Sequence, residues 1–95
     1  MEIVHRTTRE GGIFLADENG HRMGYLSYEW ADESVFAILH TVVDEAFRGQ
    51  GIAKALLDAA VAFARENNYK IRPICPYAEA VFKREPEYAR DVLYV

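Results

Sequence analysis

Cysteine is almost absent from this chain: Cys75 is the only one in 95 residues. One thiol rules out an intrachain disulfide and makes a reducing compartment the simpler setting. Long apolar runs are missing too. No stretch approaches the roughly 18 apolar residues that mark a membrane span, and Met1-Glu2-Ile3-Val4-His5-Arg6 has no signal-peptide core. A cytoplasmic protein with no membrane segment is therefore expected. Positive charge is in short supply: 11 Lys and Arg stand against 15 Asp and Glu, a formal net charge of −4. That balance argues against nucleic acid as a partner, because phosphate backbones demand a basic footprint. Nor is any segment poor enough in apolar residues to be disordered. What is present, 51% hydrophobic and 13% aromatic residues, suffices for one ordinary core. A chain of this size buries roughly 60 to 70% of the surface it exposes when unfolded, so residues 1–95 read as a single domain. No metal is expected.

The chain is organised around the stretch from Phe36 to Tyr69. It reads as a buried strand over Phe36–Val43, a short acidic turn, a glycine loop Arg48-Gly49-Gln50-Gly51-Ile52-Ala53, and a long helix. In that helix Ala53, Leu56, Leu57, Ala60, Phe63 and Ala64 recur at three- and four-residue spacing, with Lys54, Asp58, Arg65 and Glu66 on the other side. The loop offers no Ser, Thr, Asp or Asn to cap the helix it opens. Several backbone N–H groups are thus left pointing out of a positive helix end. A bound anion, most naturally a pyrophosphate, would satisfy them, and two glycines would let it come close. The loop lacks the Lys-Ser or Lys-Thr of a Walker loop and the three glycines of a dinucleotide fingerprint. Its plainer reading is a tight turn with no ligand.

Upstream, Ile13–Ala16 reads as a first strand ending in the Asn19-Gly20 hairpin turn. A second strand covers about His21–Trp30, and Ala31-Asp32-Glu33-Ser34 turns the chain into the third, giving an antiparallel three-strand meander. The third strand is apolar at nearly every position up to Leu39, which suggests burial on both faces. His40 and Thr41 interrupt it. His40 is either a structural hydrogen-bonding residue or a proton carrier, since imidazole titrates near neutral pH; His5 and His21, in polar surroundings, are given no role. Downstream, Asn67-Asn68 is a helix stop and Tyr69–Ile74 a short strand. Strand, helix and strand make a βαβ unit, so the last strand should lie parallel to the third. Pro76 is placed to open a helix through Tyr77, Val81 and Phe82, and Pro86 to start a last short helical segment containing Tyr88 and Leu93. The expected fold class is α/β, or α+β: the meander, the βαβ unit and C-terminal helices.

The run Val42-Val43-Asp44-Glu45-Ala46-Phe47-Arg48-Gly49-Gln50-Gly51-Ile52-Ala53-Lys54-Ala55-Leu56-Leu57 resembles the acetyl-CoA signature of the GCN5-related N-acetyltransferases. With His40-Thr41 before the loop and Pro73-x-Cys75-Pro76-Tyr77 after the last strand, the chain is similar to that superfamily's minimal single-domain group from about Gly12 to Tyr88. The resemblance implies an N-acetyltransferase that carries acetyl from acetyl-CoA to a primary amine, either a small molecule or a protein lysine or N-terminus. It implies a pyrophosphate on the amides of Gly49, Gln50, Gly51, Ile52 and Ala53, with Arg48 and Lys54 beside it and Phe82 and Lys83 also in the coenzyme site. It further implies the pantetheine arm along Val42 and Val43, where a strand N–H polarises the thioester carbonyl. For Arg48 a surface salt bridge to Asp44 or Glu45 is the alternative.

One departure from the family pattern bears on mechanism. Larger members carry Asn-x-x-Ala-x-x-x-Tyr after the last strand, the tyrosine protonating the departing thiolate, and here Phe82 holds that position and cannot donate a proton. Cys75 could replace it as acid, could accept the acetyl group as a thiolate, or could be a small buried packing residue. Besides the transferase, the sequence supports a non-catalytic acyl-CoA binding or sensing module, or an interaction domain whose loop binds nothing. A monomer or weak dimer is expected.

Overall fold

Four antiparallel strands open the chain in the computed structural model, which describes residues 1–95. They are β1 (Glu2–Thr7), β2 (Gly11–Glu18), β3 (His21–Asp32) and β4 (Val35–Val43). The meander therefore has one strand more than the sequence suggests. Only Ile3 and Val4 are apolar in β1, and its place is set by partners far along the chain. It pairs with β2 from Glu2↔Asp17 to Thr7↔Gly12, and the His5 ring stacks on Phe14 with centroids 4.0 Å apart. His5 is thus no surface residue: its Nε2 lies 2.6 Å from the Tyr28 hydroxyl.

A 3₁₀ turn (Glu45–Phe47) and the glycine loop lead into α1 (Ile52–Asn67), followed by β5 (Lys70–Pro73) and α2 (Pro76–Arg84). Asn68 ends α1 in the left-handed conformation, φ 60°, as an Asn in that position allows. β5 pairs parallel to β4 from Val35↔Lys70 to Ile38↔Pro73, so the sheet runs β1-β2-β3-β4-β5. One core joins both helices to the sheet face that carries Phe14, Leu26, Tyr28, Phe36, Ile38 and Ile71. The other face has no helix over it. This corrects the expectation that β4 is buried on both sides: Phe36 and Ile38 are fully buried, whereas Ala37 and Leu39 are only half-buried.

Two irregularities shape the site. In the β3–β4 ladder Ser27 pairs with His40 and Tyr28 with Ile38, so Leu39 is a bulge without a partner. Side chains alternate along a strand, and one extra residue reverses the alternation. Phe36 and Ile38 face the helices before the bulge, Thr41 and Val43 after it, and His40 and Val42 end on the open face. Next to the bulge, β5 leaves β4. The Ile38 carbonyl accepts from the N–H groups of both Ile74 (3.1 Å) and Cys75 (2.8 Å), and beyond it β4 continues to Val43 with no partner on that side. A wedge opens there at the carboxyl ends of two parallel strands, where ligands collect in open α/β sheets.

The segment after Pro86 is not helical. It runs through turns and returns to the outer edge of β5, where Ile71 N–H donates to Val92 O (2.6 Å) and Tyr94 N–H to Ile71 O (2.9 Å). Pairing the exposed edge of a short strand satisfies more backbone groups than one isolated helical turn could. Arg65 holds this segment through two hydrogen bonds to Asp91, 2.6 and 2.8 Å. No helix is long and apolar enough to cross a membrane.

Candidate coenzyme and acyl-transfer site

The loop between β4 and α1 forms the mouth of the wedge. Asp44 follows β4 and caps the 3₁₀ turn, its carboxylate accepting from the Ala46 N–H at 3.0 Å. Gly49 and Gly51 then take φ 83° and 77°, a region that side chains disfavour. A Cβ built at either would meet nothing within 4 Å, so backbone angle and open access, rather than crowding, explain glycine there. Gly51 precedes α1 and no side chain caps the helix. The N–H groups of every residue from Gly49 to Lys54 find no acceptor in the protein; the first bond of the helix is Ala55 N–H to Gly51 O, 3.0 Å. Converging donors at a positive helix end have the chemistry of a phosphate cradle.

Below them lies a cavity of about 230 Å³ whose walls include Val43, Phe47, Arg48, Ile52, Lys54 and Tyr77. Arg48 is exposed and forms no ion pair with Asp44 or Glu45, the alternative its neighbours suggested. Lys54 lies 4.4 Å over the Tyr88 ring and 3.8 Å from Asp58, and the Tyr88 hydroxyl donates to Asp58. These contacts tie the first turns of α1 to the C-terminal segment. Burial first, and then Asp58, pushes the Tyr88 phenol up.

Cys75 precedes the first residue of α2, is 3% exposed, and brings its thiol within 3.5 Å of Thr41 Oγ1. The bulge is what turns Thr41 toward it, so the pair forms the floor of the wedge. His40 is exposed on the opposite sheet face, and the structure does not bring it and Cys75 together. Val43 reaches the loop cavity while Val42, 44% exposed, belongs to the open face. Gln50 is exposed in the loop. Phe82 is buried beside Tyr88, ring centroids 6.1 Å apart, and Lys83 pairs with Glu79 at 3.7 Å. Both line a separate cavity of about 300 Å³ under Arg72 and Tyr94, not the one at the loop. Tyr77 is the wall residue that sequence reasoning passed over, although its place directly after Cys75-Pro76 was a signal. Burial pushes its phenol up, so it remains a neutral hydrogen-bond donor.

Comparison with known proteins shows the family. A family model described as GCN5-related N-acetyl-transferase matches residues 13–92. The chain belongs to the GCN5-related N-acetyltransferases. Among its relatives is Protein NATD1 of Gallus gallus, 36% identical over 87 residues that make up 90% of this chain and 77% of that one. The solution structure of a GCN5-like protein from Staphylococcus aureus is 32% identical with a TM-score of 0.71, over 96% of this chain and 87% of that one. A GNAT family acetyltransferase from Elizabethkingia anophelis, solved with acetyl-CoA bound, is 28% identical with a TM-score of 0.60, over 65% of this chain and 41% of that one.

Proposed function

We propose that this GCN5-related protein takes acetyl-CoA as its donor and transfers the acetyl group to a primary amine. The row of unbonded amides from Gly49 to Lys54, at an uncapped helix end, carries this reading. Those N–H groups seat the pyrophosphate, with Arg48 adding positive charge beside it. The pantetheine arm enters the wedge past Val43, and a backbone N–H on the edge of β4 that β5 leaves unpaired polarises the thioester carbonyl. Such a fixed donor is typically worth about 3 to 4 kcal/mol to acyl transfer. The amine attacks the carbonyl directly, because an acceptor held against a polarised thioester needs no covalent relay. Cys75, buried against Thr41, then positions the wedge floor rather than carrying acetyl. Tyr77 donates a hydrogen bond to the departing thiolate, a role Phe82 cannot fill. His40 accepts the amine proton on the open side. The single buried thiol suits a cytosolic setting.

Binding without turnover is the second reading, favoured by Phe82 standing where the proton donor would be. A thermal shift separates both from an empty loop, since a ligand that prefers the folded state raises the melting temperature with its concentration over its dissociation constant. CoA and acetyl-CoA should raise it, dephospho-CoA less, and no rise at millimolar CoA would end the coenzyme reading. Thiol release from acetyl-CoA on adding an amine then distinguishes transfer from binding.

A further inference from the structure

On the uncovered sheet face, beside the bulge, lies a cavity of about 540 Å³ whose lining includes Glu10, Ile13, Ser27, Glu29, Leu39 and His40. We infer that it seats the acetyl acceptor, and that this acceptor is a primary amine bearing a second cationic group a few methylenes away, an inference that rests on the acetyl-transfer reading.

Three features of the cavity lead there. The first is position. His40 lies just beyond Ile38, the last β4 residue paired with β5, on the sheet face opposite the glycine-loop cavity, so an amine seated beside it would approach β4 from the face that the donor does not occupy. The second is charge. Neither Glu10 nor Glu29 is paired with a Lys or Arg of the chain, and two free carboxylates at one rim suit a cation better than a neutral group. The third is shape. Ile13 and Leu39 supply apolar wall for a short methylene chain, and the volume is within the range of small-molecule sites. In the transfer, the ammonium nearest the wedge gives a proton to His40. The free amine forms the C–N bond as the C–S bond breaks, its second proton leaves to water, and the sulfur departs as CoA thiolate. The distal ammonium stays on the carboxylates throughout.

The test is a titration of nitrogen-15-labelled full-length protein, loaded with CoA, followed by NMR. Cadaverine, spermidine, pentylamine and a Lys-Arg dipeptide are compared on the parent and on a Glu10→Gln, Glu29→Gln double variant, both changes being at exposed positions. Cadaverine or spermidine should shift the amides of Gly11, Ser27, Glu29 and His40 and bind roughly fivefold or more tightly than pentylamine, weakening with added salt. The double variant should lose that preference and keep its response to CoA. Stronger binding of the dipeptide than of the free diamines would identify the source as a basic protein segment. The inference is overturned if these amides stay silent, if pentylamine binds as well as cadaverine, or if the double variant keeps the preference. The same spectra report on the underlying reading: loop amides Gly49 to Lys54 that ignore CoA sink it, whereas a responsive loop beside a silent cavity sinks only the acceptor assignment.

Discussion

At Gly51 a Cβ would meet no atom within 4 Å beyond its chain neighbours, so replacing this exposed residue tests backbone conformation and the proposed phosphate access without disturbing the core. Gly51→Val forces a β-branched residue to φ 77°, which costs about 1 to 3 kcal/mol, and places methyl groups where the proposed pyrophosphate site lies. CoA affinity should fall at least tenfold by calorimetry, more than the stability loss alone accounts for; parental affinity in a folded variant would make the loop a plain turn. His5 gives a second test. Burial lowers its pKa from 6.5, and burial pushes the Tyr28 phenol up to about 12, so the two form a neutral pair inside an aromatic cage with Phe14 and Phe63. The unfolded chain protonates this histidine first as pH falls. Stability from His5 is therefore complete above about pH 6.5 and is lost as pH drops through its lower folded value. In His5→Phe that part of the pH slope should vanish from denaturant titrations, while the Tyr28 hydroxyl is left without a partner. Nothing in Glu-Ile-Val-His-Arg-Thr signals this role, because His5 is half-buried by residues from three other elements. The glycine loop was legible for the opposite reason: its chemistry is written in consecutive residues.

Among the elements, β4 departs most from its sequence pattern. Val35 to Leu39 reads as a doubly buried strand, yet only one side is covered, and the bulge at Leu39 reverses which residues face the helices. Bulges depend on the neighbouring strand and leave little trace in one strand's own sequence. Deleting Leu39 should remove the extra residue and leave the other faces as they are, with Ile38, Thr41 and Val43 toward the helices and His40 on the open face, because Ile38 and His40 already stand opposite the neighbouring residues Tyr28 and Ser27. Stability in chemical unfolding should therefore fall by less than the roughly 2 to 5 kcal/mol of a core truncation, and the CoA-induced thermal shift should persist. A deletion variant that loses the shift would mean that the bulge itself, and not only the faces it sets, shapes the wedge. α1, α2 and the parallel β5 were readable because periodic apolar spacing and the βαβ rule are local or topological. The extended return of residues after Pro86 to the β5 edge was not, since only a neighbouring strand's unpaired groups call for it.

Taken as a whole, the molecule is lopsided: one sheet face carries both helices, and the other is bare apart from its own side chains. A shared core and a parallel β4–β5 pair join the early meander to everything after the glycine loop. The meander closes through successive hairpins, whereas β5 must find β4 across the whole of α1. Contacts distant in sequence carry the larger closure entropy and form late. The wedge lies on that seam, so a partial opening that releases β5 and α2 should abolish the proposed coenzyme site while β1 to β4 remain paired. Hydrogen exchange should show Ile71, Ile74 and Cys75 exchanging sooner than the centre of β3, and saturating CoA should slow the first group more than the second. Uniform slowing would mean that the chain opens only as one unit. The donor would then act as more than a reactant: its supply would set how long the last-assembled half of the protein stays closed, and a chain starved of it would be the first exposed to proteolysis at α2.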